Sequence, residues 1–321
     1  MLLGRPKIVI LDDRYEDYKA EKAVLDVLNA EIRVAMPECP EQASALLSGA
    51  DGVLCNLYQL NAELIGSMTK CRVISRYGVG YDNVDVSAAA GMGIAVCNVP
   101  DYAMEDASDH ALALLLNCVR KISYRDRMVR RGEWNLHRNQ PSFRMAGKTV
   151  GIIGYGRIGS CFVRKISGFG FARILVCDPT ADEGAIRDAG AEKVDLTTVL
   201  QASDYLSLHC PLNSGTKDMI DDRALSMMKS GAILINTARG PIVNEQALTD
   251  ALCSGRIAAA GLDVYDEDPL RPESPLRSLD NVTLTDHAAW YSEESIEELK
   301  SKAAQNIVDE LEGRISAFRV N

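Results

Sequence analysis

Short apolar runs separated by helix-length segments recur along the chain. Most of these runs contain few polar residues, which is typical of strands whose sheet is covered by helices on both faces. The ten runs are KIVIL (7–11), GVLCNL (52–57), RVISRY (72–77), IAVCNV (94–99), TVGIIG (149–154), RILVCD (173–178), YLSLHC (205–210), AILINT (232–237), AAGLDV (259–264) and VTLTDH (282–287). The pattern predicts an α/β fold with parallel sheets.

The runs form two groups with an amphipathic helix between them. Four precede MEDASDHALALLLNCVRKI at 104–122, and six begin at Thr149. In 104–122 apolar residues recur at steps of three or four, and further leucines extend the apolar surface almost around the helix. Such a helix needs a second surface, either another domain or another subunit, so a homodimer is predicted. With 321 residues, the chain is expected to form two domains.

The composition is that of a globular protein, with 47% hydrophobic and 25% charged residues. A formal net charge of -10 disfavours nucleic acid as a partner, since binding phosphate backbones requires clustered Lys and Arg. The one basic stretch, at 125–138, is interpreted as the end of a helix and its exit loop.

No segment predicts secretion or membrane insertion. Charge returns at Lys7, too early for a signal peptide, and the longest apolar run, at 111–116, is far shorter than the roughly 20 residues that a bilayer requires. The nine cysteines contain no C-x-x-C pair, so reduced interior thiols are expected. We predict a cytoplasmic protein with no membrane contact and no metal site.

The most specific motif is TVGIIGYGRIG, in which Gly154, Gly156 and Gly159 form G-x-G-x-x-G directly after a strand. A helix-compatible segment follows, and the next strand ends at Asp178, about 20 residues further on, where an acidic side chain binds a ribose diol. The glycines allow a pyrophosphate to approach the helix N-terminus. Because a carboxylate at Asp178 would repel a 2′-phosphate and no Arg follows it directly, NAD is the predicted cofactor.

Three polar residues follow successive strands in the second half: Arg239, Asp268 and His287. The carboxyl ends of parallel strands meet at one edge, so these side chains could converge there. An arginine can bind a substrate carboxylate, a histidine can exchange the hydroxyl proton, and a carboxylate can orient the imidazole. With NAD as hydride acceptor, the set suits oxidation of a 2-hydroxy acid, although a lone histidine at a strand end is more often structural.

A second glycine pair lies in SRYGVGYDNVD at 75–85. It would expose the backbone N–H groups of Val79 and Gly80 as a small anion nest suited to a carboxylate. On the residues alone, an ordinary turn with no ligand is an equally good interpretation.

Taken in order, these motifs resemble the D-isomer-specific 2-hydroxyacid dehydrogenase family over nearly the whole chain. The matching segments are GVGYDNVD, NVPDYAMEDASDHALALLL, GKTVGIIGYGRIG, LHCPL, NTARGPIVNEQAL, GLDVYDEDP and DHAAW. The resemblance implies two doubly wound parallel-sheet domains: a flavodoxin-like substrate domain (1–100 with 292–321) and a Rossmann NAD domain (101–291). It also implies interconversion of a small 2-hydroxy acid and its 2-keto acid, of the glyoxylate, hydroxypyruvate or phosphohydroxypyruvate type.

The resemblance assigns roles to single residues. It implies that Arg239 binds the substrate carboxylate, that His287 is the acid/base and that Asp268 is its partner. The implied cofactor contacts are Gly154, Gly156, Arg157, Ile158, Gly159, Asp178, Cys210, Pro211, Thr216, Thr237, Ala238 and Asp263, the last at the nicotinamide amide. The implied substrate contacts are Arg76, Tyr77, Val79, Gly80 and Trp290. An exposed surface arginine at 76 and a packing tryptophan at 290 are the alternatives.

Two positions depart from the family pattern. The family usually has Glu where this chain has Asp268, one methylene shorter, and Glu267 is the neighbouring alternative. The family usually has Pro where this chain has Asp286. A carboxylate there would favour a protonated His287 unless it points into solvent.

The segment HAAWYSEES at 287–295 is similar to the branch that includes the C-terminal-binding-protein corepressors, and other features resemble phosphoglycerate dehydrogenases. The corepressor likeness leaves a second function class, an NAD(H)-sensing interaction protein in which turnover is incidental. We favour the enzyme, because we expect no long disordered flanks for regulation.

Overall fold

The structure is a computed structural model that describes residues 4–11, 15–134 and 141–321. The chain divides into two compact units, one formed by Met1–Ala103 with Ser292–Asn321 and the other by Met104–Tyr291. Each unit contains a parallel sheet with helices. The predicted α/β fold class is therefore confirmed. The last part of the basic stretch, at 135–138, lies outside the described residues.

The first unit is built on a five-stranded parallel sheet with the order β2-β1-β3-β4-β5 within the described residues. Strands β1, β3 and β4 are buried on both faces except at Lys7, as their unbroken apolar runs predict. The strands are β1 (Lys7–Leu11), β2 (Glu31–Val34), β3 (Gly52–Cys55), β4 (Val73–Arg76) and β5 (Ala95–Cys97), and the first four helices are α1 (Lys19–Leu25), α2 (Pro40–Leu47), α3 (Ala62–Ser67) and α4 (Val86–Gly91).

The second unit is built on a seven-stranded parallel sheet with the order β12-β11-β10-β9-β6-β7-β8, again within the described residues. Its strands are β6 (Thr149–Ile153), β7 (Arg173–Cys177), β8 (Glu192–Lys193), β9 (Tyr205–Leu208), β10 (Ala232–Asn236), β11 (Ile257–Leu262) and β12 (Val282–Leu284). Its helices are α5 (Met104–Arg120), α6 (Ile122–Arg130), α7 (Arg157–Ile166), α8 (Glu183–Asp188), α9 (Leu196–Ala202), α10 (Asp222–Met227) and α11 (Glu245–Cys253). Strand β6 lies between β7 and β9, so the strand order reverses there, and ligands of such sheets bind at the carboxyl ends of the strands beside this point.

The apolar helix α5 is covered inside its own unit. It packs against α7 and against strands β10, β11 and β12. At Gly261 the approach of β11 is so close that an added Cβ would lie 2.9 Å from Leu114 Cβ. The second surface that the sequence requires for this helix is therefore supplied by the sheet of the second unit, and α5 itself does not call for another subunit.

The C-terminal segment completes the first unit. Helix α12 (Glu293–Leu311) begins with a capping box between Ser292 and Ser295 and packs against α1, β3 and β4. Beyond it, Val320 donates to the carbonyl of Val96 at 2.8 Å. Both the N-terminal and the C-terminal parts of the described sequence therefore contribute to the structure around the five-stranded sheet.

Within the described ranges, no helix is long and apolar enough to cross a membrane. The same ranges contain no group of three or more His, Cys, Asp or Glu side chains placed to hold a metal ion.

Candidate active site

Three adjacent parallel strands carry the predicted catalytic residues to one edge of the seven-stranded sheet. Strands β10, β11 and β12 are neighbours, and Arg239, Asp268 and His287 follow them in that order. The side chains of His287 and Asp268 are partly exposed, and Arg239 is half-buried. The edge thus combines a guanidinium, a carboxylate and an imidazole at the carboxyl ends of the strands.

His287 and Asp268 form a direct pair. The Nδ1 atom of His287 lies 2.6 Å from Oδ2 of Asp268, and their side chains are 25% and 30% exposed. The neighbouring Glu267 instead faces Arg271 at 3.7 Å. The shorter aspartate therefore reaches the histidine, and Glu267 is not its partner.

The backbone of His287 is left-handed, with a φ of 56°. This conformation is sparsely populated by residues other than glycine and persists where surrounding contacts over-determine it. Here the carboxylate of Asp263 accepts hydrogen bonds from the N–H groups of Ala288 and Ala289, each at 2.9 Å. On the other side, Trp290 Nε1 donates to the carbonyl of His287 at 2.8 Å. The loop holds the imidazole in a fixed direction, while Asp286 is exposed to solvent.

Asp263 is fully buried and organises this loop. Besides the two N–H groups, it accepts a hydrogen bond from Thr285 Oγ1 at 2.6 Å. Both of its carboxylate oxygens are thus engaged within the chain. The contact with the nicotinamide amide stays a prediction, whereas support of the His287 loop is a role that the sequence did not reveal.

Arg239 lies in a tight turn built on Asn236. The side chain of Asn236 donates to the carbonyl of Arg239 at 2.9 Å and accepts from the N–H of Ala238 at 3.0 Å. The next residue, Gly240, packs so closely that an added Cβ would overlap the carbonyl of Tyr265. The turn that carries Arg239 is therefore seated directly on the chain that leads to Asp268. Sequence reasoning missed Asn236, although a polar residue ending a buried strand is the signal that could have identified it.

The glycine loop after β6 has the shape that a dinucleotide requires. A Cβ at Gly154 would overlap the chain at His209 and Cys210, and one at Gly159 would overlap the carbonyl of Gly154. A Cβ at Gly156 would meet open space. Helix α7 begins at the next residue, Arg157, without a side-chain cap. Its first N–H groups are therefore available to a phosphate.

Asp178 lies at the end of β7, beside this loop. Its Oδ2 accepts from the N–H of Tyr155 at 2.8 Å, and its Oδ1 accepts from the N–H and hydroxyl of Thr180 and from the N–H of Ala181. Burial alone would raise the pKa of Asp178, but these hydrogen bonds outweigh it and lower the pKa. The carboxylate is therefore ionised and fixed in place, as a ribose ligand must be.

The other predicted cofactor residues lie on loops at the same edge. Within the described residues, the hydroxyl of Thr237 is buried and has no hydrogen-bond partner. Such a group suits a bound ligand, because an unsatisfied buried hydroxyl is costly. Thr216 Oγ1 donates to the carbonyl of Pro211 at 2.6 Å and so shapes the loop after Cys210. These residues and Ile158, in the first turn of α7, fit a bound dinucleotide.

His209, beside this loop, is a poor candidate for proton transfer. Its Nε2 lies 2.9 Å from the hydroxyl of Ser207, and burial lowers the pKa of the imidazole to about 4. The ring is therefore uncharged near neutral pH and serves the structure of the loop.

The predicted substrate residues of the first unit follow β4. Gly78 has a φ of 127°, and Asn98 Nδ2 donates to the carbonyl of Val79 at 2.7 Å. Within the described residues, the N–H groups of Val79 and Gly80 have no hydrogen-bond acceptor. They remain free to bind an anion.

The side chains before this turn are interior. Arg76 is 8% exposed, so the alternative of an exposed surface arginine is wrong. Tyr77 is 1% exposed and donates to Glu21 Oε1 at 2.9 Å. The ring of Tyr77 thus supports the turn from inside the unit, and the structure does not place it on the substrate side. Glu21 was not identified from the sequence, because nothing in α1 predicts a buried acid.

Comparisons with known proteins agree with this geometry. Residues 112–289 match the family model described as D-isomer specific 2-hydroxyacid dehydrogenase, NAD binding domain. The chain is 40% identical over 265 residues to a glyoxylate reductase of Korarchaeum cryptofilum, covering 82% of this chain and 80% of that protein.

Two solved structures are similar over almost their whole length. A glyoxylate reductase from Paecilomyes thermophila superposes with a TM-score of 0.89 at 27% identity, covering 99% of both chains. The D-lactate dehydrogenase from Aquifex aeolicus, complexed with NAD and lactic acid, superposes with a TM-score of 0.86 at 26% identity, covering 96% of both chains. The chain therefore belongs to the D-isomer specific 2-hydroxyacid dehydrogenase family and is an NAD(P)-binding oxidoreductase acting on 2-hydroxy acids.

Proposed function

We propose that this enzyme reduces a small 2-keto acid, of the glyoxylate, hydroxypyruvate or phosphohydroxypyruvate type, with NADH. The observation that carries the proposal is the 2.6 Å pair of His287 and Asp268 at the strand edge that also carries Arg239. The glyoxylate reductases among its relatives support a substrate with a small side chain.

His287 is the proton donor in this proposal. Its Nδ1 is held by Asp268, which leaves Nε2 to deliver a proton to the carbonyl oxygen as that oxygen becomes a hydroxyl. The Asp268 carboxylate stabilises the imidazole in its protonated form before transfer and orients it throughout. Arg239 binds the substrate carboxylate through its planar guanidinium. The nicotinamide cofactor, when bound, supplies the hydride.

The first unit supplies the substrate-binding turn in this proposal, and the second binds the cofactor. The free N–H groups of Val79 and Gly80 would donate hydrogen bonds to the substrate carboxylate. A contact from Trp290 to the substrate side chain belongs to the same proposal, as does the placement in the corepressor and phosphoglycerate dehydrogenase branch.

NAD is the proposed cofactor in preference to NADP. The ionised Asp178 is fixed by four hydrogen bonds at the end of β7. A 2′-phosphate beside it would place like charges together, which is unfavourable. The alternative of an NAD(H)-sensing interaction protein is not favoured, since the relatives described above are reductases and a dehydrogenase.

The test is NADH oxidation, followed by absorbance, with glyoxylate, hydroxypyruvate, 3-phosphohydroxypyruvate and pyruvate. His287→Asn is the matched variant, because asparagine tolerates the left-handed backbone that alanine would strain. We expect one or more of the acids to turn over, with kcat reduced by about 10²- to 10⁴-fold in the variant. A variant that keeps the parent kcat would refute the role of His287, and an enzyme inert with all four acids would refute the substrate class.

We also propose a homodimer, on different grounds from those of the sequence. Helix α6 has no buried residue, and Ile122, Val129 and Trp134 are 58%, 53% and 89% exposed. This apolar surface would be covered by a second copy. Light scattering should show a dimer that Ile122→Glu dissociates, while Val27→Glu, at an exposed site of the first unit, leaves it intact. A monomeric parent protein would contradict the proposed homodimer.

The cytoplasmic location stays a prediction.

A further inference from the structure

His110 on α5 reaches the loop that carries the proposed acid/base. Its Nε2 lies 2.9 Å from Thr285 Oγ1 and 3.5 Å from Asp263 Oδ1. The side chain is 23% exposed. His110 is not among the proposed substrate or cofactor contacts, so its hydrogen bonds point to a different role.

The hydrogen positions in this network follow from counting donors. Thr285 has one hydroxyl proton, and its Oγ1 lies 2.6 Å from the carboxylate of Asp263. A carboxylate accepts only, so the hydroxyl donates to Asp263. Thr285 Oγ1 must then accept from His110, whose Nε2 carries a hydrogen. The chain of donors therefore runs from His110 through Thr285 to Asp263.

Asp263 is also the acceptor that fixes the N–H groups after His287. It binds Ala288 and Ala289 at 2.9 Å each, and these bonds define the left-handed backbone at His287, whose φ is 56°. A rotation of the carboxylate would break at least one of them. Because Asp263 is 0% exposed, no bulk water is available to restrain it if a partner is lost.

We propose that His110 is a positioning residue for His287, acting through Thr285 and Asp263. It fixes the orientation of the Asp263 carboxylate, which in turn fixes the loop that aims the His287 ring. The proposal rests on the proposed role of His287 in proton transfer and adds a residue from a separate helix to it. Small displacements of a reacting group carry large rate penalties, so loss of this support should reduce turnover more than substrate binding.

Two substitutions at position 110 test the donor. His110→Leu removes the hydrogen bond, and His110→Gln keeps an N–H donor at a similar reach. We expect His110→Leu to lower kcat by roughly 10- to 100-fold with KM for the 2-keto acid changed by less than about twofold, and His110→Gln to recover most of the loss. Equal kcat values in the parent and His110→Leu enzymes would overturn the proposal.

Asn117 provides a control on the same helix. Its Nδ2 donates to Thr283 Oγ1 at 2.7 Å, two residues before Thr285 on the chain. Thr283→Val therefore breaks a comparable link between α5 and β12 away from the His287 loop, and Asn117→Leu breaks the same link together with the hydrogen bonds that Asn117 Oδ1 accepts from Ser123. We expect both to lower thermal stability and to leave kcat near the parent value, whereas Thr285→Val should behave like His110→Leu. A loss of kcat in the Asn117 and Thr283 controls equal to that in His110→Leu would show a general packing effect and overturn the proposal.

Hydrogen exchange gives a readout that does not depend on turnover. The peptide containing Ala288 and Ala289 should exchange faster in His110→Leu than in the parent, and at the parent rate in Asn117→Leu. Unchanged exchange in His110→Leu would overturn the proposal. The His287→Asn assay separates the two proposals. If the His287→Asn enzyme is active, the role of His287 as proton donor is refuted. If the His287→Asn enzyme is inactive and the His110→Leu enzyme is fully active, only the role of His110 is refuted.

Discussion

At the residue scale, the site depends on a histidine whose backbone is left-handed. The sequence predicted the identity of His287 from its position after a strand and from the motif DHAAW. It could not predict the φ of 56°, because this conformation is imposed by Asp263 and Trp290 through hydrogen bonds that cross the loop. Local propensity alone would have favoured an ordinary turn.

The partner of His287, Asp268 or Glu267, could also be identified only from the structure. Both are acids in one short segment, and either could face His287 on sequence grounds. The backbone path directs Asp268 to Nδ1 at 2.6 Å and Glu267 toward Arg271. The backbone therefore lies close enough to His287 for Asp268 to reach it, although its side chain is one methylene shorter than the usual glutamate.

We predict that Asp268→Asn lowers kcat by about 100-fold or more, because an amide cannot stabilise the protonated imidazole. Glu267→Gln is the matched control, since it changes the adjacent acid without touching His287. Steady-state assays of both variants and the parent would measure the effect. Equal activity of the two variants would contradict the assignment of the pair.

At the scale of the elements, turns after strands determine where functional groups lie. The phosphate loop was predictable because its glycines, strand, helix and acid follow one another within a short segment. The contact of Gly240 with Tyr265 was not, since the two residues are distant in sequence and meet only when β10 and β11 pair. The strands β2 and β8 were also missed, because they are short and mostly exposed and lack an apolar run.

We predict that Gly240→Ala destabilises the second unit by about 2 kcal/mol or more, since the new methyl group overlaps backbone that cannot rotate away. Gly168→Ala is the control, because a Cβ there meets no atom within 4 Å and should be neutral or slightly stabilising. Urea denaturation would compare the free energies of unfolding. If the Gly240→Ala protein is as stable as the Gly168→Ala protein, the segments around Gly240 and Tyr265 can move apart without loss of folding free energy, which would contradict the prediction.

We predict that Asp178→Asn narrows the preference for NADH over NADPH by about tenfold, because it removes one full charge beside the 2′ position. Glu183→Gln removes a carboxylate from the first turn of α8 and should leave the preference unchanged. The ratio of kcat/KM for the two cofactors is the measurement. A ratio that does not change in Asp178→Asn would remove the basis for the proposed NAD preference.

At the scale of the whole molecule, the sequence predicted the class of fold but not how its helices are covered. The pattern of α5 indicated a helix that is apolar nearly all round, and two surfaces could have covered it. The structure shows that α7 and three strands of the same unit do so. An exposed apolar surface lies instead on α6 and the segment just after it, whose mixed sequence gives no such signal.

We predict that protonation of His209 contributes to acid unfolding of the whole protein. Burial lowers its pKa from 6.5 to about 4. Between these two pH values the imidazole binds a proton in the unfolded chain but not in the folded chain. This contribution to stability is complete above pH 6.5 and is lost as the pH falls toward 4, by on the order of 3 kcal/mol. The free energy of unfolding, measured by denaturant at several pH values, should fall less steeply over this range in His209→Gln than in the parent. Parallel curves would contradict the lowered pKa.

The discontinuous first unit has a consequence for synthesis. Its sheet and helices require Ser292–Asn321, which the ribosome makes only after all of Met104–Tyr291. The second unit is continuous and can fold as soon as it has emerged, while the first must wait with an incomplete core until α12 arrives. During that interval the apolar surfaces of β3 and β4 that α12 covers are open to chaperones, although these strands were translated before any part of the second unit.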